Sequence, residues 1–101
     1  MIDVAVDPTS GDAALLVGSN TLDAARYNAK LARRAPAERI SEDLDGGQGY
    51  RGPARLLADG NGGFGIVWLV VSGSIPVLLL ARYSPRAGTW TVQPVFEGER
   101  F

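Results

Sequence analysis

The chain passes twice through one order of short motifs, and that recurrence restricts its fold more than any other feature of its 101 residues. Val4-Ala5-Val6-Asp7 is answered by Leu56-Leu57-Ala58-Asp59, and Gly11 with Ala14-Leu15-Leu16-Val17 by Gly62 with Gly65-Ile66-Val67-Trp68. Ala25-Arg26-Tyr27 is answered by Ala81-Arg82-Tyr83, and Pro36 by Pro94. The second copy is the sharper, reading from Ala58 to Trp90 as turn, strand, turn, strand, turn and the start of another strand. The paired aspartates stand 52 positions apart and the paired arginines 56, so the added length falls in the hairpin between the second and third strands. Repeat arrays accept insertions at such loops.

Each copy has the composition of short strands and tight turns. Ile2–Val6 is apolar apart from Asp3 and runs into Asp7-Pro8-Thr9-Ser10-Gly11, a turn composition. Residues 13–17 and 21–27 read as second and third strands around Gly18-Ser19-Asn20, and residues 36–40 as a fourth strand of edge type. Residues 41–52 are a polar, glycine-rich connector, after which strands are predicted at 54–58, 64–71, 75–83 and 89–96. One stretch pulls the other way: Leu22, Ala25, Ala29 and Ala32 fall on a helical stripe in a segment of good helix formers. A stripe made mostly of alanine buries little area at about 25 cal/mol per Å². The repeat therefore decides for strands, and a small α+β domain with a helix near residues 21–35 is the alternative.

Residues 64–81 carry no charge and approach the ~20 residues of a membrane span. Ser72, Gly73, Ser74 and Pro76 cluster at the centre of that run, and Ile66, Val67, Val70, Val71 and Ile75 are β-branched, so a hairpin is predicted and no membrane span. Residues 77–81 are apolar without alternation, which calls for cover on both faces of the sheet. Four short strands in ~40–50 residues is the size of a propeller blade. The expected fold is all-β: two four-stranded antiparallel blades of propeller type, residues 1–42 and 54–101, joined by a connector at 43–53.

At these residues the chain resembles a broad family of bacterial repeat proteins. Their blades run "VAVD", a small turn with glycine, an apolar strand ending in Trp, a hairpin, "ARY", a turn, "GTW" and Pro. Trp68 and Trp90 stand in the second copy where the first has Val17 and Arg34. Such blades occur in large extracellular or surface β-propellers loosely grouped with sialidases. The resemblance implies a scaffold and an extracellular or cell-surface setting. Residues 84–90 resemble the Asp box of sialidases, but Arg86 replaces its aspartate and the spacing to Trp90 is one residue short, so no functional residue is carried over.

The chain has no cysteine and no histidine, which excludes disulfides, thiolate chemistry, histidine-based zinc sites and a Ser-His-Asp triad. A net charge of −1 gives no footprint for nucleic acid, and the N-terminal residues lack the pattern of a signal peptide. Asp7 and Asp59 each precede a glycine-containing turn and are expected to set it by accepting backbone N–H bonds. Asp59-x-Asn61-x-Gly63 and Asp43-x-Asp45 have the alternate oxygens of a calcium loop but no later bidentate acid, so no metal site is predicted. No cofactor motif is read either.

Arg26, Arg82, Tyr83 and Trp90 are the candidate ligand-binding residues, the arginines as a clamp for a carboxylate or sulfate and the aromatics as platforms for carbohydrate. Because Arg26 and Arg82 recur in both copies, an Arg–Asp ion pair between blades is the favoured reading. Tyr27, Tyr83, Trp68 and Trp90 are expected to pack within or between blades. Glu38, Glu42, Glu97 and Glu99 lie in chain ends and polar segments, as solvated surface and not as a glycosidase carboxylate pair. The expectation is a non-enzymatic structural or binding module of a larger or oligomeric propeller, its partners being further blades in a longer parent or other copies. The alternative is a fragment of a sialidase-like, glycan-processing enzyme whose catalytic residues lie outside this chain.

Overall fold

The computed structural model describes residues 2–18, 21–41, 51–72 and 75–97. They form two antiparallel sheets and no helix. The first sheet contains β1 (Ile2–Val6), β2 (Ala13–Gly18), β3 (Leu22–Asn28), β4 (Arg33–Arg34) and β5 (Glu38–Ser41). The second contains β6 (Arg51–Ala58), β7 (Phe64–Ser72), β8 (Ile75–Ser84) and β9 (Thr89–Glu97), paired in chain order. Since β4 and β5 both pair with the free edge of β3, the first sheet is also four strands wide. The α+β alternative is overturned: residues 22–28 bond across to β2, from Ala13↔Tyr27 to Gly18↔Leu22, and their helical stripe is not used. Of the membrane-length run, β7 and β8 make a hairpin, and among the described residues no helix is long and apolar enough to cross a membrane. Most of the predicted connector at 43–53 lies outside the described residues; β6 already begins at Arg51, with a register shift between Arg51 and Ala54.

Pairing refines the match between the copies. Tyr27 faces Arg34 as Tyr83 faces Trp90, so Arg34 does stand in the place of Trp90. The prolines are not counterparts. Pro94 faces Leu79 inside β9, whereas Pro36 falls between β4 and β5, where its missing N–H interrupts the fourth rung. The inserted length lies in β7 and β8, as their 9 and 10 residues exceed the 6 and 7 of β2 and β3.

Both aspartates set their turns. Asp7 Oδ1 accepts from Thr9 N at 3.2 Å and its Oδ2 from Ser10 Oγ at 2.8 Å, while Gly11, at φ 82°, donates its N–H to Asp7 O at 2.8 Å. Asp59 Oδ1 accepts from Asn61 N at 2.7 Å and Gly63 N at 3.0 Å. A Cβ on Gly63 would run into Asp59 Oδ2 and come within 2.9 Å of Tyr83 O. The side chain can swing aside; the backbone oxygen cannot. Gly63→Ala should therefore cost about 1–3 kcal/mol in urea denaturation, and an unchanged midpoint would contradict this turn.

Side chains alternate across each strand, and one face of each sheet enters a shared core. Ala14, Leu16, Leu22 and Ala24 from the first sheet meet Ala54, Leu56, Phe64, Ile66, Trp68 and Ala81 from the second. The first strands run side by side: β1 lies against β6, and Asp3 Oδ2 accepts from Leu56 N at 3.0 Å, capping an open strand edge. Thr9 Oγ1 adds a bond of 3.2 Å to Gly60 O. The predicted cover on both faces is met on one side only, since Leu78 and Leu80 on the outer face of β8 are half-buried and no described strand lies over them.

The sheets meet through non-equivalent faces. In the first, the inward residues are Ala5, Ala14, Ala24 and Arg26; their counterparts in the second, Leu57, Gly65, Leu80 and Arg82, face outward. Conversely, Val4, Leu15 and Tyr27 face outward, while their counterparts Leu56, Ile66 and Tyr83 face inward. The stack is front to back.

Backbone N–H groups of Leu56 and Val4 hold the Asp3 carboxyl below its usual 3.8, with the nearby Arg55 acting in the same direction. A depressed folded-state pKa stabilises the fold above the unfolded value, and this contribution is lost as pH falls through the folded value. The stability of the wild type should thus decline below about pH 4 more steeply than that of Asp3→Asn. Parallel pH profiles for the two proteins would remove the contact.

Candidate functional site

Strand alternation decides which candidate residues meet. Tyr83 and Trp90 are cross-strand partners on the inner face of the second sheet, and their ring centroids lie 5.5 Å apart at 54°. Arg26, inward from β3, places its guanidinium carbon 3.9 Å from the centroid of the Tyr83 ring. Three of the four candidates are thus one cluster at the junction of the sheets. The fourth is not: Arg82 follows Tyr83's neighbour Ala81 in β8 and points out of the opposite face, exposed. A clamp made from both arginines does not form.

The expected Arg–Asp pair between the sheets is replaced by this cation–π contact. The carboxylates at the junction are already engaged, Asp12 Oδ1 accepting from Ala29 N at 2.8 Å and Asp7 serving its own turn, and elsewhere Asp23 pairs with Arg39 Nε at 3.2 Å. That last pair is the ion pair among the described residues, and its exposure leaves it worth about 1 kcal/mol or less. A guanidinium stacked on a tyrosine at a partly desolvated junction contributes about 0.5–2 kcal/mol. It also fixes the lateral register of one sheet on the other.

As sugar platforms the aromatics are poorly placed. Arg26 covers one face of Tyr83, Trp90 is half-buried, and Trp68 is 1% exposed. The Nε1 atoms of both tryptophans are buried and have no acceptor among the described residues. Glu38 is exposed on β5, Glu97 ends β9, and Glu42 and Glu99 lie outside the described residues, as do Asp43 and Asp45. Among the described residues no three acidic side chains converge as metal ligands.

Two concavities flank the second sheet. At the sheet junction, Asp12, Arg26, Asn28 and Tyr83 line a small space of about 110 Å³. On the outer face, Leu57, Asp59, Leu80, Arg82 and Thr91 border a groove of about 690 Å³. The contact of Arg26 with Tyr83 was not foreseen in the sequence, although its signal was present. Arg-Tyr recurs as adjacent residues in a strand, which sends the two side chains to opposite faces, so stacked copies bring the Arg of one onto the Tyr of the other. Set against family models, curated proteins and solved structures, the chain matches none.

Proposed function

We propose that this chain is a non-enzymatic structural module whose two sheets serve as blades of a larger or oligomeric β-propeller, of the bacterial extracellular or cell-surface type that its repeats resemble. The observation that carries this reading is the stack through non-equivalent faces. Two sheets packed through the same face make a sandwich, and both complementary surfaces are then consumed. Packed front to back, they leave a free front and a free back, which is how blades follow one another around an axis. Side-by-side first strands support the same arrangement, because the first strand of each blade lines that axis. In this reading Arg26, Tyr83 and Trp90 hold blade on blade.

A double-mutant cycle tests the blade contact. Arg26→Ala and Tyr83→Ala, singly and together, should show a coupling of about 0.5–2 kcal/mol in urea denaturation. Additive effects would mean that the sheets do not stack as described, and the reading would fall.

A further inference from the structure

We infer that copies of this chain associate head to tail, with Tyr27 of one copy entering the outer groove of the next and stacking against its Arg82. This rests on the blade reading above and adds its partner, a second copy. The internal junction supplies the template. There, the face carrying Ala5, Ala14, Ala24 and Arg26 receives the face carrying Leu56, Ile66 and Tyr83. The unused faces carry the same positions with the copies exchanged: Leu57, Gly65, Leu80 and Arg82 on one side, Val4, Leu15 and Tyr27 on the other.

The exposures agree with an interface left open. Val4 is 61%, Leu57 60% and Tyr27 43% exposed, all on these two faces. The groove by Arg82 lies where, at the internal junction, the ring of Tyr83 sits against Arg26. The turn aspartates differ in the same sense, because Asp7 is 1% exposed beneath the Gly60–Gly62 turn of the second sheet while Asp59 is exposed. Charge selects the pairing: face-to-face contact of two second sheets would bring Arg82 toward Arg82, whereas head-to-tail contact gives each guanidinium an uncharged ring. A heterologous contact closes into a ring when its rotation permits. With two blades per chain and ~4–8 blades per propeller, the ring would hold about two to four copies.

Light scattering coupled to size exclusion tests this on the 101-residue chain. The wild type should elute at about two to four times its monomer mass. Tyr27→Glu and Arg82→Glu alter exposed positions, so each should keep the wild-type circular dichroism while losing at least about tenfold in self-association. Mixed, they should form a one-to-one pair, because Arg82→Glu still offers Tyr27 and Tyr27→Glu still offers the groove. A concentration-independent wild-type monomer, undiminished self-association by either variant, or no pair on mixing would each overturn the inference. A monomer that retains the Arg26–Tyr83 coupling would leave the blade reading standing and assign the free faces to further blades of a longer chain.

Discussion

Trp68→Ala should lower the stability of this protein by about 3–5 kcal/mol, the largest effect of any single truncation in the chain. Trp68 is the largest fully buried side chain among the described residues, projecting from β7 into the core that Leu16 and Leu22 enter from the other sheet. Domains of this size have total stabilities of about 5–15 kcal/mol, so the variant should be largely unfolded in modest urea. Trp90→Ala should cost less, because that ring is half-buried and mainly loses its contact with Tyr83. Equal midpoints for Trp68→Ala and the wild type would place Trp68 on the surface.

Asp7→Ala should cost about 2–3 kcal/mol and Asp59→Ala about 1 kcal/mol or less, although the two residues occupy the same place in their repeats. Asp7 is 1% exposed, so removing its carboxylate empties a site closed to solvent and takes the acceptor from Thr9 N and Ser10 Oγ. Asp59 is itself exposed, so water follows into the space its carboxylate leaves and serves the exposed Asn61 N–H, and only the N–H of the buried Gly63 is left at risk. Denaturation midpoints for the pair decide the matter, and the reverse order would contradict a stack in which the second sheet covers the first sheet's turn.

Much of the architecture was legible because its turns are chemically explicit. Asp7 to Gly11 and Asp59 to Gly63 ended one strand and started the next within a residue of the predicted bounds. The recurrence also overruled the helical propensity around Leu22 to Ala32, where ladder bonds to β2 and packing of Leu22 and Ala24 outweigh what an alanine stripe could bury. The fourth strand of the first sheet, expected at residues 36–40, is found at Glu38–Ser41 with the short β4 before it, and the missing N–H of Pro36 marks the break between them. Gly52 and Pro53 read as connector, yet they sit at the register shift inside β6. Arg26 lost its expected carboxylate for a reason invisible in one dimension. Alignment shows which residues are equivalent between repeats, but contact between stacked sheets is made by non-equivalent faces, and the Asp side chains within reach were committed locally.

The central claim is that the first sheet lays its Arg26 face on the Tyr83 face of the second. Nuclear Overhauser spectroscopy of the folded chain tests it most directly. Cross-peaks should connect the Tyr83 ring protons to the Arg26 side chain, with the Arg26 methylene signals shifted upfield by the ring. Cross-peaks from the Tyr83 ring to the Val4 and Leu15 side chains instead, with none to Arg26, would place the opposite face of the first sheet at the junction and contradict the front-to-back stack.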